Sequence, residues 1–97
     1  MAQTLVFGIV DTGADVVVVP ETLATNLELP VIGRTCVVGA TGRSVTANVF
    51  AVTVELMGNA WIVEAIALGD EALWGRNLVN RFRLTLDGHH LQLQVPR

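Results

Sequence analysis

Lysine and tyrosine are absent from this 97-residue chain, and cysteine occurs once. Only 15% of the residues are charged, against roughly 25% in an average soluble domain. The six basic residues are all arginines, scattered along the chain, so no basic stripe of the kind nucleic-acid binding requires is present. A lone Cys36 excludes an internal disulfide and any multi-cysteine metal site. It makes a reducing, cytoplasmic setting the expected one. No apolar run approaches the ~18 residues of a membrane span, so no membrane association is expected. The first residues lack a basic stretch and a cleavage site, so no signal peptide is expected either.

What the chain does have is apolar content. The hydrophobic fraction is 52%, with nine glycines besides, and the net charge is −3. Intrinsic disorder is excluded, because so much apolar surface offsets the entropy of ordering. The length suits one domain, residues 1–97, and not two. A domain this small has too little interior to hide all its apolar side chains. The surplus predicts a buried subunit interface, before any motif is considered.

Turn signals break the sequence into short strands, which predicts a mostly-β domain with one or two short helices. Thr4 to Val10 is apolar and stops at Asp11-Thr12-Gly13. Val16 to Val19 is β-branched throughout and ends at Pro20, so it reads as a strand. Pro20-Glu21 starts a helix of about two turns, with Leu23 and Leu27 on one face and Pro30 beyond it. Arg34 to Val38 is another strand, leading to the small, flexible turn Gly39-Ala40-Thr41-Gly42. Phe50, Val52, Val54 and Leu56 alternate with polar or small residues, the period of a half-buried strand. Gly58-Asn59 is the expected hairpin turn, and Trp61 to Leu68 the returning strand. A short helix is expected over Gly75 to Phe82. A second hairpin about Asp87-Gly88 then closes the chain.

Asp11-Thr12-Gly13 carries the chemistry. A carboxylate where an apolar strand meets a tight turn is partly desolvated, and one such acid alone does little to an amide bond. Two facing acids that share a proton hold a water between them. One takes the water's proton while the other donates to the carbonyl oxygen. The bland alternative is an Asx-type turn closing a strand, and the tripeptide occurs by chance in roughly 2% of chains of this length.

The surroundings narrow the choice. Val10-Asp11-Thr12-Gly13-Ala14-Asp15 resembles the active-site loop of the retropepsin-like aspartic proteases. Leu73-Trp74-Gly75-Arg76-Asn77-Leu78 resembles that family's second motif, two hydrophobics and a glycine followed by Arg-Asn-Leu. Gly39-Ala40-Thr41-Gly42 falls where the family places its flap. The Pro20–Leu29 helix and the Asp87-Gly88 hairpin bring the pattern nearer the bacterial and cellular single-domain members than the viral ones. The resemblance runs from Leu5 to about Val95.

It implies a retropepsin-like acid-protease half-barrel that is homodimeric and acts on peptide or protein substrates without cofactor or metal. Because Asp-Thr-Gly occurs once, the dyad must be Asp11 and Asp11′ across a twofold axis. Asp11, Thr12 and Gly13 would be the catalytic group: Asp11 as acid and base, Gly13 permitting the turn, Thr12 bonding across the axis. Ala14, Asp15, Val18, Leu73 and the flap residues Gly39, Ala40, Thr41 and Gly42 would line the substrate cleft. Val18 and Leu73 are equally read as plain core. Asp15 and Arg76 match a family ion pair beside the active site.

Other chemistry is poorly supported. His89-His90 has no acidic or cysteine partner at ligand spacing. Cys36 reads as a small core hydrophobe. The flap glycines lack the Gly-Lys-Ser/Thr of a phosphate loop. Trp61 and Trp74 are expected in the core or at an interface. Most family members carry a further strand ahead of the one feeding Asp-Thr-Gly. Only ten residues precede Asp11 here, so either the sequence starts late relative to the family pattern or the dimer is held by other segments, the Leu91 to Val95 strand among them. The expected activity is that of an aspartic endopeptidase. The alternative is the same fold kept as a catalytically silent dimerisation or peptide-binding module.

Overall fold

A computed structural model describes residues 3–38, 41–87 and 90–94, the last two strands by their backbone pairing. The elements are β1 (Ile9–Val10), β2 (Val17–Val19), α1 (Glu21–Asn26), β3 (Val31–Val38), β4 (Ser44–Leu56), β5 (Asn59–Ala67), β6 (Leu73–Trp74), α2 (Arg76–Val79), β7 (Arg83–Asp87) and β8 (His90–Gln94). The fold is mostly β, with two short helices. Six strands form one sheet in the order β1-β6-β2-β5-β4-β3, and β7-β8 form a separate hairpin.

The chain crosses itself at the centre of the sheet. β1 runs parallel to β6, with Ile9 opposite Leu73 and Val10 opposite Trp74. β2 lies between β6, which it meets antiparallel at Val18 and Leu73, and β5, which it joins in parallel from Val17 and Ala65. The segment from residue 11 to residue 16 is therefore a loop suspended between two strands that both abut β6.

Alternation along the strands divides the apolar residues between the two faces. Val17, Val19, Phe50, Val63, Ala65 and Ala67 pack on one face with Ala24 of α1, Leu78 of α2 and Phe82. Val52, Val54, Leu56, Trp61 and Trp74 close around them. Trp61 and Phe82 meet edge to face with centroids 4.9 Å apart. Burying side chains of this size contributes about 1.5–3 kcal/mol each. The other face has a smaller cluster of Val18, Ala47 and Ile66, bordered by Val16, Val37, Val49, Leu68 and Leu73.

Local expectations are corrected at four places. The β4–β5 hairpin turns on Met57-Gly58, one residue earlier than expected: Leu56 pairs with Asn59, and φ is positive at Met57 (53°) and Gly58 (77°). Asn59 is the first strand residue, and its side-chain amide donates to the Met57 carbonyl at 3.1 Å, latching the turn from outside. Of the apolar stretch from Thr4, only Ile9–Val10 pairs as a strand, while Leu5 and Phe7 stand 81% and 87% exposed in the single chain. α2 is shorter than expected, ending in a cap at Asn80, while α1 has the two turns or so expected but stops in a cap at Leu27, short of Leu29. Cys36 is exposed and not in the core. Its strand β3 extends with the first part of β4 as an arm in which residues 31–36 and 44–46 are all exposed. Among the described residues no helix is long and apolar enough to cross a membrane.

Candidate active site

The loop that follows β1 is fixed at both ends by backbone hydrogen bonds. At its start the Asp11 amide donates to the Trp74 carbonyl (3.1 Å), and the Ala14 amide donates back to the Asp11 carbonyl (3.2 Å). The Asp11 carboxylate accepts the Gly13 amide at 2.9 Å through Oδ1. That bond turns the side chain back over its own loop. A Cβ at Gly13 would lie 3.2 Å from the same oxygen, so a glycine here keeps the carboxylate uncrowded. Asp11 is half-buried, whereas Thr12 and Gly13 are exposed.

At the far end α2 takes over. The first amides of a helix have no partner within it, and here Arg76 N–H donates to the Ala14 carbonyl (2.8 Å) and Asn77 N–H to the Asp15 carbonyl (3.1 Å). The loop's carbonyls and the helix's unpaired donors satisfy each other. Gly75 makes this approach possible: an added Cβ would overlap the Val16 carbonyl, so the two backbones touch with no room for a side chain. In the same way Trp74 lays its indole ring over Gly8. The second motif thus buttresses the first.

Each expected site residue among those described has a definite place. Asp15 and Arg76 are joined, Arg76 Nη2 donating to Asp15 Oδ1, with 78% and 53% of their side chains exposed. Ala14 is half-buried in the loop. Val18 is only 8% exposed and belongs to the smaller cluster, with half-buried Leu73 at its margin. Val37 and Val49, from the strands of the arm, and Val16, at the end of the Asp11 loop, border the same cluster, so arm and loop share one apolar floor. Thr41 and Gly42 are exposed beyond the end of the arm's pairing, where Val38 meets Ser44. Gly39 and Ala40 lie outside the described residues, as do Gly88 and His89.

Asn77 emerges from the structure as a residue whose importance the motif left unread. Its side-chain oxygen accepts the Val17 amide at 3.0 Å, and its side-chain nitrogen donates to the Glu64 carbonyl at 2.7 Å. The available signal was an asparagine placed two residues after the glycine of the second motif. Its partners, however, lie 60 and 13 residues away.

In chemical terms the arrangement offers one half-buried carboxylate, held in a loop that backbone bonds make rigid, beside an apolar floor that it shares with a projecting hairpin. Such a site suits acid–base work on an extended substrate. Comparison with known proteins agrees. The family model described as aspartyl protease matches residues 4–74, a span that includes the Asp11 loop, the arm and β6. No curated protein matches the chain. Among solved structures, the crystal structure of a retropepsin-like aspartic protease from Rickettsia conorii is similar, with a TM-score of 0.65 and 25% identity, covering 87% of this chain and 69% of that one. With the family's model spanning most of its length and a retropepsin-like fold around Asp11, this chain belongs to the aspartyl protease family.

Proposed function

We propose that the protein is an aspartic endopeptidase whose active site forms only when two copies meet, each contributing Asp11. The observation that carries this reading is a single half-buried carboxylate in a loop tied to β6 and α2, in a chain with one Asp-Thr-Gly. A lone acid cannot be proton acceptor and donor at once; a twofold axis supplies the second.

In the dimer one carboxyl is protonated and the other ionised. The ionised carboxylate removes a proton from the bound water as its oxygen adds to the peptide carbonyl carbon. The protonated partner gives its hydrogen to the carbonyl oxygen, forming a neutral tetrahedral gem-diol. Collapse then breaks the C–N bond: the proton taken from water passes to the departing amine while the partner carboxylate takes back a hydroxyl proton, leaving a carboxylic acid and restoring the dyad. Thr12, at the exposed crest of the loop, bonds across the axis. The substrate lies as an added strand between the loop and the arm, its backbone held by Ala14, Asp15 and residues 39–42, and its side chains against Val18 and Leu73. Closure of the arm excludes water from the cleft.

Digestion of a diverse peptide library at pH ~5, read by mass spectrometry for wild type beside Asp11→Asn, tests the proposal. Products from wild type alone support it. A folded, dimeric wild type that cuts nothing sinks it and leaves a peptide-binding or dimerisation module in its place.

A further inference from the structure

We propose that Asn77 is a positioning residue for the Asp11 loop, acting as a substitute peptide group at the point where β2 and β5 begin to pair; this rests on the aspartic-peptidase reading above. The parallel ladder of these strands starts at Val17 and Ala65. At this first pair the Val17 amide and the Glu64 carbonyl both bond to the Asn77 side chain. The side-chain amide provides one acceptor and one donor, as a peptide unit would. Its orientation is fixed, because Val17 N–H can only donate and the Glu64 carbonyl can only accept.

Three segments therefore converge on one residue. Through its side chain Asn77 holds the first residue of β2 and a residue of β5; through its own N–H it holds the Asp15 carbonyl. Val17 is 1% exposed, so loss of the Asn77 acceptor would weaken the pairing of a buried donor. The other ties of the loop, Asp11 N–H to Trp74 and Arg76 N–H to Ala14, are made by backbone alone and survive any substitution at 77. Changing the Asn77 side chain thus frees Val17 and its junction with β5, while the backbone ties, that of Asn77 N–H to the Asp15 carbonyl included, stay in place. That displacement is carried along the loop to Asp11.

The requirement for one donor and one acceptor gives a distinctive test. Asn77→Leu keeps the approximate size and removes both bonds. Asn77→Asp keeps the shape, but when ionised it sets a carboxylate against the Glu64 carbonyl with no hydrogen to share. When protonated, its O–H donates to Glu64 and its carbonyl accepts from Val17, restoring both bonds. The charged groups around the position are Asp15 on the loop, Arg76 beside it on α2 and Glu64 on β5, while β2 offers none from Val16 to Val19. All are shared by wild type and variants, so a ratio of activities isolates residue 77.

The experiment measures kcat per folded dimer for wild type, Asn77→Leu and Asn77→Asp between about pH 4 and 7, together with amide hydrogen exchange of the same samples. Asn77→Leu should lose up to about 100-fold in kcat at every pH. Asn77→Asp should be similarly impaired near neutrality and approach wild type as the pH falls. In Asn77→Leu the Val17 amide should exchange faster while Val63 and Phe82 stay protected. A wild-type kcat in Asn77→Leu, or an Asn77→Asp to wild-type activity ratio constant with pH, overturns the proposal. Should wild type itself prove silent on peptides, the peptidase reading fails, and unchanged Val17 exchange in Asn77→Leu would separately refute the role given to Asn77.

Discussion

The Asp11 loop and the β3–β4 arm lie on the same sheet and are held in opposite ways. The loop is tied at nearly every step: to β6 through Trp74, to α2 through Arg76 and Asn77, and to itself through Gly13. The arm is a plain antiparallel ladder, from Arg34 opposite Asn48 to Val38 opposite Ser44, with water on nearly every side chain. Its apolar attachment among the described residues is a single line of side chains on one face, Val49, Ala47 and Val37. The contrast separates two demands. A reacting group must be held to a few tenths of an ångström, which takes convergent bonds from several segments. A segment that admits an extended peptide must open, and an exposed ladder with few buried contacts opens at low cost.

The sharpest way to break the comparison is to remove the group that the loop positions. Asp11→Asn keeps the shape of the carboxylate and removes its acid–base chemistry. Activity should fall by about 1,000-fold or more. Thermal unfolding should change little, because the side-chain amide oxygen of the variant still accepts from Gly13. Peptide hydrolysis and a melting curve on one preparation check both halves. The same chemistry fixes the pH profile of wild type. A dyad sharing one proton loses its base when both acids are protonated and its acid when both are ionised, so kcat/KM should peak at acidic pH and fall on either side. A rate flat from about pH 4 to 8 would contradict the shared proton.

Two glycine-to-alanine changes set the regions side by side. At Gly75 the added methyl overlaps the Val16 carbonyl, and the obstacle is backbone, which cannot rotate away. Gly75→Ala should cost about 3 kcal/mol in urea unfolding and lower activity, since the loop must move to make room. Gly42, at the end of the arm, has nothing within reach of an added Cβ, but its φ is +81°. Gly42→Ala should therefore cost only the left-handed strain, about 1 kcal/mol, and leave the Asp11 loop unmoved. Equal costs at the two positions would remove the distinction between a buttressed loop and a free arm.

How far these features were legible in sequence follows from the range of the interactions involved. Asp11-Thr12-Gly13 and Leu73-Trp74-Gly75 could be read because each is a contiguous set of residue types. The alternation from Phe50 to Leu56 could be read because one face of β4 is buried against the core. The exposure of Cys36 could not: the alternation test assumes a strand with a face to bury, and β3 runs out along the arm. The Met57-Gly58 turn was missed because Asn59, a good turn residue, works from the neighbouring strand position. The parallel placement of β2 against β5 depends on residues nearly 50 positions apart, and Asn77 has meaning only once that placement exists.

The smallest effect expected concerns the most conspicuous contact of the loop. Arg76 and Asp15 form an ion pair, yet more than half of each side chain is in water. Exposed pairs gain little, because solvent screens the attraction and two long side chains must be held still. Asp15→Asn should therefore change stability by only about 0.5 kcal/mol, less than Gly42→Ala despite its place beside Asp11. The backbone carbonyl of Asp15, which accepts from Asn77, is untouched by the substitution. If Asp15→Asn instead destabilised the protein as much as Gly75→Ala, the loop would be held by charge rather than by its backbone bonds. The salt dependence of unfolding separates the two: hardly altered for a backbone-held loop, steep for an ion-held one.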